Sequence, residues 1–345
     1  MLLAFESSCD ETSVAVIQDG CVRSNVVASQ IRLHAEYGGV VPELAVREHL
    51  KNLLPVAREA LRLAAVGVDE IRAVGATRGP GLPAALSVGY AAAQGFAVAR
   101  GIPLFGIHHH AAHLFSPWIE GEPGRVDWGR LVPHVSLVVS GGHTLLVAVS
   151  AEGRHRVLGG TLDDAAGECF DKLAKLLGMQ YPGGPVLDRL AEEGNPTAHT
   201  FPRPLLHEAN DDFSFSGLKT SVRYHLERNP GLAEEAGALR DLCASIRAAV
   251  VETLVVKTVR AARRLGMRMV TASGGVTCNR ALRRQLSVAC GKAGMELRLA
   301  DPQYCTDNAG MVGILADHHW RRGDAADDPD WEVLPGWSME ECERG

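Results

Sequence analysis

The chain has 345 residues, 46% of them hydrophobic and 22% charged, with 41 Asp and Glu against 35 Lys and Arg for a formal net charge of -6. At roughly 150 residues per domain this length favours two domains, and the composition excludes a disordered chain, a coiled coil and a mini-protein. The acidic balance argues against unaided tight binding to a phosphate backbone, so a nucleic-acid partner requires a local basic patch.

In chain order, Met1 to Phe5 reaches the carboxylate of Glu6 with no basic segment before it, which is not the pattern of a signal peptide. Leu2 to Phe5 and Val14 to Ile17 read as strands joined by a polar tip, Glu6 to Ser13. Pro42 to Ala65 is expected as a helix, Ala73 to Thr77 as a strand, and Pro83 to Arg100 as an Ala-rich helix stopped by Gly101. Leu104 to Ile107 follows as a short buried strand. Gly, Pro and charge concentrate in Glu120 to Arg130, which marks the boundary between two halves. The pattern of strand, polar tip and strand returns at Val135 to Val139 and Leu145 to Val149, flanking Ser140-Gly141-Gly142-His143-Thr144. This recurrence suggests a duplicated domain. Helices are expected over Asp163 to Leu177, Leu239 to Leu265 and Asn279 to Gly291, with a strand over Met269 to Ala272. Strand, Ser273-Gly274-Gly275 and helix in that order is a geometry that presents backbone N–H groups to a phosphate. Asp324 to Gly345 is acidic and broken by prolines, and is expected as a surface tail.

Eight cysteines are scattered without a C-x-x-C pair, which predicts reduced thiols in a cytoplasm. No apolar run approaches the roughly 18 residues of a membrane span. The 37 glycines fall partly in pairs, as at Gly141-Gly142, Gly183-Gly184 and Gly274-Gly275, where a chain that approaches a ligand closely is expected.

The densest metal-capable segment is His108-His109-His110-Ala111-Ala112-His113. His109 and His113 lie four apart on one helical face, and His110 and His113 lie three apart, so the register stays open. Surface or core histidines are the alternative. A zincin requires Glu directly after the first ligand, and His110 stands there, so protease chemistry lacks its base. Asp307 opens an apolar helix, where it or Thr306 serves as an N-cap or, with two histidines, as a third ligand for iron or zinc acting as a Lewis acid. Val138 to Thr144 offers free amides at a hairpin tip, although a hairpin needs glycine merely to turn. Neither a P-loop nor a dinucleotide fingerprint occurs. Arg260, Arg263, Arg264, Arg268, Arg280, Arg283 and Arg284 form the one basic concentration, read as a solvated helix face before an RNA-binding one.

Taken together, Phe5-Glu6-Ser7-Ser8-Cys9-Asp10-Glu11-Thr12, Gly79-Pro80-Gly81-Leu82, the histidine cluster, Val139 to Thr144, Asp163 to Glu168, Phe170-Asp171-Lys172, Tyr181 to Pro185, Phe213 to Thr220 and Gly274-Gly275-Val276 resemble the universal TsaD family of tRNA threonylcarbamoyladenosine transferases. The likeness runs from about Met1 to Trp320. It implies an α/β fold of the actin-like ATPase (sugar kinase, Hsp70 and actin) type, a duplicated ribonuclease-H-like architecture. The expected division is residues 1–130 with roughly 305–330 as the metal-bearing half, 131–304 as the half with nucleotide-binding loops, and 331–345 as a surface tail.

The resemblance also implies a metal, Fe2+ or zinc, held by His109, His113 and Asp307. A ligand, threonylcarbamoyl-AMP or in its place ATP, ADP or AMP, is implied at Val138, Val139, Ser140, Gly141, Gly142, Asp171, Gly184, Asp188 and Asn279, in a cleft between the halves. The implied reaction transfers threonylcarbamoyl to the adenosine 3′ of the anticodon in tRNAs reading codons that begin with adenine, with no side-chain nucleophile. The implied partners are tRNA, a paralogous actin-like subunit (TsaB), a small ATPase (TsaE) and an upstream synthase (TsaC). A small-molecule kinase and a non-catalytic ATP-binding protein of the same superfamily are the rival readings. Two positions depart from the family pattern: Ala111 stands where Glu is usual, and Pro83-Ala84 follow the Gly79 to Leu82 loop where more flexible residues are usual.

Overall fold

Leu2–Glu6 (β1) is buried along its whole length because both faces of its sheet are covered, an environment that turns strand alternation into a continuous apolar run. The computed structural model describes residues 1–328 and 330–342. It divides into two compact units, Met1–Arg130 with the chain from Asp301 onward, and Leu131–Ala300.

In the first unit β1 pairs antiparallel with Glu11–Gln18 (β2), which pairs with Cys21–Ser29 (β3), and parallel with Ala73–Gly79 (β4), which pairs with Leu104–His108 (β5). The strand order is β3-β2-β1-β4-β5. Leu3, Phe5, Val14, Val16, Val74 and Ala76 form one face, packed on Val56 and Ala60 of the Pro42–Ala64 helix and Tyr90 and Ala93 of the Pro83–Arg100 helix. Both helices begin with Pro, whose missing N–H costs nothing in the first turn. Gly101, at φ 61°, stops the second as expected. The other face takes the Ala309–Arg322 helix at very close range. A Cβ on Gly313 would lie 2.8 Å from the Ala4 Cβ, and one on Gly75 would lie 2.5 Å from the Ala316 Cβ.

The second unit repeats this plan. His134–Val139 (β6) pairs antiparallel with Thr144–Val149 (β7), which pairs with His155–Gly160 (β8), while Met269–Ser273 (β9) lies parallel to β6 and to Glu296–Leu299 (β10). The order β10-β9-β6-β7-β8, followed from its other edge, is the succession of the first sheet. Val135, Leu137, Leu146, Val270 and Ala272 share a core with Ile246, Val250 and Leu254 of the long Ala236–Arg264 helix. Strands β3, β8 and β10, absent from the sequence reading, are all sheet edges, where half-exposed positions weaken the apolar pattern. The helix expected from Asp163 starts at Ala166, because the Asp163 carboxylate accepts from the Phe215 N–H at 2.7 Å and the Ser214 hydroxyl at 2.6 Å instead.

The C-terminal segment lies largely at the surface but is not a loose tail. Expected as a surface tail, it is tied to the first unit: the Asp327 N–H donates to the Leu104 carbonyl and the Leu334 N–H to the Arg78 carbonyl, each at 2.8 Å, and Met339 is buried. Its acidity concealed these anchors. Glu343 to Gly345 lie outside the described residues. Among the described residues no helix is long and apolar enough to cross a membrane.

Candidate functional site

In the first unit β1, β4 and β5 run parallel, and their carboxyl ends converge, the position where open α/β sheets place ligands. Glu6 ends β1, Thr77 lies near the end of β4, and β5 runs straight into the helix His109–Phe115. His108 caps that helix, its Nδ1 accepting from the N–H groups of His110 and Ala111. The helical turn then places His109 and His113 on one face, with ring centroids 4.8 Å apart.

Asp307 arrives from nearly two hundred residues away. Its helix, Ala309–Arg322, is capped by Asn308, whose side chain accepts from the Met311 N–H at 3.0 Å. Capping therefore does not occupy Asp307, and the capping alternative falls away. Its Oδ1 lies 3.1 Å from His113 Nε2 and 3.4 Å from His109 Nε2. One donor atom from each of the three residues falls within 4.8 Å of the others, the one such group among the described residues. The histidine register is thus His109 with His113, and His110 takes no part in the group.

Behind the group stands Glu6, fully buried. Its Oε2 lies 3.0 Å from His109 Nδ1 and accepts from the Thr77 hydroxyl at 2.5 Å; its Oε1 accepts from the Ser8 N–H at 2.5 Å. A carboxylate on the far nitrogen of an imidazole fixes the ring and leaves Nε2 to face a metal. Nothing in the local sequence pattern assigns Glu6 this role; the one signal is a carboxylate closing a strand whose other residues are all apolar.

Burial works to raise the Glu6 and Asp307 carboxyls, but the charge and hydrogen bonding of His109 outweigh it and hold both below their usual range, Asp307 well below. Burial works to lower His109, and Asp307 and Glu6 override it and hold His109 well above the ordinary imidazole value. At His113 burial prevails, with His109 adding to it, and the value falls. A divalent cation in place of the His109 proton would have its charge balanced by the Glu6 and Asp307 carboxylates. The donor set of two imidazole nitrogens and a carboxylate suits iron or zinc.

In the second unit the tip between β6 and β7 lies at the carboxyl ends of the parallel strands β6 and β9. Val138 and Val139 are buried strand residues beneath it. The Ser140 N–H donates to the His143 carbonyl at 2.8 Å and closes the turn. The Ser140 and Gly141 carbonyls accept from Gly167 and Glu168, in the first turn of the Ala166–Leu176 helix, at 3.2 and 3.0 Å. What remains open are the N–H groups of Gly141 and Gly142, which have no hydrogen-bond partner among the described residues. Both residues are exposed, and nothing lies within 4 Å of where a Cβ would stand.

Asp171 and Gly184 meet nearby: the Gly184 N–H donates to Asp171 Oδ1 at 2.8 Å. Burial pushes the Asp171 carboxyl up against the pull of the Gly184 and Gly183 amides. Asp188 and Asn279 also meet. Asp188 Oδ1 accepts from Asn279 Nδ2 and from Arg247 Nη1, each at 2.8 Å, while Asn279 Oδ1 caps the Arg280–Lys292 helix through the Leu282 N–H. Asp188 is thus committed to neighbours, and Arg247, unnoticed in the sequence, is its anchor. Part of the basic concentration is likewise consumed internally. Arg260 donates to the Leu206 and Asn210 carbonyls, Arg264 pairs with Asp211, and Arg283 donates to the Thr277 and Ala300 carbonyls.

The TsaD family pattern, described as tRNA N6-adenosine threonylcarbamoyltransferase, matches residues 21–314. The chain is 48% identical over 343 residues to the tRNA N6-adenosine threonylcarbamoyltransferase of Syntrophotalea carbinolica, covering 99% of this chain and 98% of the relative. It is 49% identical over 325 residues to that of Geobacter sulfurreducens, covering 94% and 93%. In fold it is similar to T. kodakarensis HypF (TM-score 0.58, 14% identity, 94% of this chain and 48% of that one). It is also similar to the activator of the 2-hydroxyisocaproyl-CoA dehydratase from Clostridium difficile with bound ADPNP (TM-score 0.51, 13% identity, 93% and 96% covered). These neighbours place the two five-stranded mixed sheets in the actin-like ATPase fold. With its His-His-Asp group, that fold and near-complete coverage of relatives at close to half identity, the chain belongs to the tRNA N6-adenosine threonylcarbamoyltransferase family.

Proposed function

We propose that the chain transfers the threonylcarbamoyl group of threonylcarbamoyl-AMP to N6 of the adenosine 3′ of the anticodon in tRNAs reading codons that begin with adenine. The single observation that carries this reading is the convergence of His109, His113 and Asp307 on one point, with Glu6 bracing His109 from behind. Fe2+ or zinc would be held there and would supply Lewis-acid stabilisation of developing oxygen charge.

In the reaction the N6 amine attacks the carbamoyl carbon, the bond from that carbon to the phosphate oxygen breaks, AMP leaves with the electron pair, and the proton shed by the amine passes to the departing phosphate or to water. A mixed anhydride is already activated, so the protein positions the reactants and stabilises charge, and no Ser or Cys need act as nucleophile. The open N–H groups of Gly141 and Gly142 donate to phosphate oxygens. The Asp171 oxygen not bound by Gly184 accepts a ribose hydroxyl. Asp188 and Asn279, bonded to each other, hold the neighbouring wall of the nucleotide site with Gly184, while buried Val138 and Val139 fix the tip below Ser140.

A chain of net charge -6, with Arg260, Arg264 and Arg283 engaged internally, is poorly equipped to capture tRNA alone. The reading therefore includes a paralogous actin-like subunit and a small ATPase as helpers, and a cytoplasmic synthase that delivers the adenylate. The test combines the chain and these partners with unmodified tRNA and threonylcarbamoyl-AMP, read by nucleoside mass spectrometry. Modified adenosine with the native chain and none with His113→Ala is the expected result. Transfer of a labelled γ-phosphate to a small molecule, or ATP binding with no modified nucleoside, would replace it with a kinase or a non-catalytic binding protein.

A further inference from the structure

The metal-ligating helix His109–Phe115 has only seven residues, and an isolated helix of that length is not stable in water. Its geometry must come from what holds its start. His108 does so by accepting two N–H groups at Nδ1, from His110 at 3.2 Å and Ala111 at 3.4 Å. An imidazole that accepts at Nδ1 carries its proton on Nε2, and that nitrogen lies 3.1 Å from the Trp337 carbonyl oxygen.

Trp337 belongs to a strap that crosses the end of β4. The Leu334 N–H donates to the Arg78 carbonyl, and the Gly81 N–H donates to the Pro335 carbonyl at 3.2 Å. Arg78 donates to the Glu332 carbonyl at 2.8 Å and lies 4.5 Å from the Trp331 ring centroid, a cation–π distance. The Trp337 ring rests on His108 with centroids 5.0 Å apart. Gly79 lets the strap pass: a Cβ there would stand 1.9 Å from the Leu334 carbonyl oxygen.

We propose that the C-terminal strap, acting through the Trp337 carbonyl and His108, is a positioning device for the metal ligands His109 and His113. No strap residue belongs to the metal group; the strap holds His108 in the orientation that caps the helix. The proposal rests on the metal reading above and deepens it.

The test measures Zn2+ affinity by competition with a chromophoric chelator, beside thermal melting, in the native chain, a truncation ending at Asp330, His108→Ala, His108→Asn and His109→Ala. Truncation and His108→Ala are each expected to weaken Zn2+ affinity about 10–100-fold, the range seen when groups behind metal ligands are lost. His108→Asn keeps a capping oxygen and is expected to recover most of the affinity. If His109→Ala loses Zn2+ while truncation and His108→Ala bind it as the native chain does, the strap proposal is overturned and the metal reading survives. If His109→Ala itself binds Zn2+ undiminished, the metal reading fails. Should the truncation lose its cooperative melt, Arg78→Ala, which loosens the strap without touching the helix, decides in its place: unchanged Zn2+ affinity overturns the proposal.

Discussion

The two sheets share one plan, yet the tips of their first hairpins are covered in opposite ways. Between β1 and β2 the tip is folded inward: Glu6, Ser7, Ser8 and Asp10 are buried, and Glu6 is spent on Ser8, Thr77 and His109. Between β6 and β7 the tip is left open, with exposed Gly141 and Gly142 whose two amides have no partner among the described residues. On the reading proposed above, the carboxylate sealed behind an imidazole would organise a fixed cation site, and the N–H groups on the glycine turn would receive an exchangeable anion. The two units repeat one backbone plan, and the side chains at the tip are what differ.

Five changes break or sharpen this contrast. The largest effect is expected from His109→Ala, which removes a proposed metal ligand and the partner of Glu6. Metal content of the purified variant should fall to background and modified adenosine should disappear, while a cooperative melt persists. Full metal occupancy in that variant would remove the assignment. Next comes Glu6→Gln, which keeps the side chain's size and abolishes its charge. Zn2+ affinity should drop about 10–100-fold without complete loss.

At the second tip, Gly274→Ala tests what holds the open turn in place. The new Cβ would meet the Val139 carbonyl oxygen at 2.3 Å, at a backbone φ of 89° that side chains rarely adopt. A loss of about 2 kcal/mol or more in denaturant unfolding is expected.

The fourth change concerns the central strands, since β6 opens with the buried imidazole of His134 where β1 opens with Leu2. Burial lowers His134 to about 4, against the opposing pull of the Val132 carbonyl. The folded chain keeps this ring neutral, whereas the unfolded chain protonates it below about 6.5. Its contribution is therefore present above pH 6.5 and is lost as the pH falls through 4. Stability should fall by about 2–3 kcal/mol over that window on its account, and His134→Gln should flatten the profile by that amount. An unchanged pH profile would show the ring to be titrating normally.

The smallest effect on stability belongs to Gly141→Ala, where the added methyl meets nothing. Unfolding should move by less than about 0.5 kcal/mol. Binding of an AMP analogue is expected to weaken all the same, because the methyl stands beside the free amides. Unchanged analogue binding would count against the open tip as the anion site.

Much of this was legible from residues alone. The central strands and the helices from Pro42 and Pro83 announced themselves because burial on both faces, Pro at the first turn and Gly at the stop are local signals. The spacing of His109 and His113 fixed their common face. Edge strands β3, β8 and β10 did not announce themselves, since exposure dilutes apolar pattern. Nor did the anchors of the C-terminal segment, where acidity masked Met339 and the backbone pairing with Arg78 and Leu104.

By itself, then, the order of residues determined the duplicated hairpins, the main helices and the candidate donors, because each depends on neighbours within a few positions. Only the tertiary structure decided that Asn308 and not Asp307 caps its helix, that His110 stays out of the group, and that Glu6 stands behind His109. It alone brought Trp337 to His108. The Asn308 cap aside, these are contacts between segments about a hundred to over two hundred residues apart, and no local periodicity records them; they exist because strands β1, β4 and β5 end side by side and the Ala309–Arg322 helix packs across their sheet.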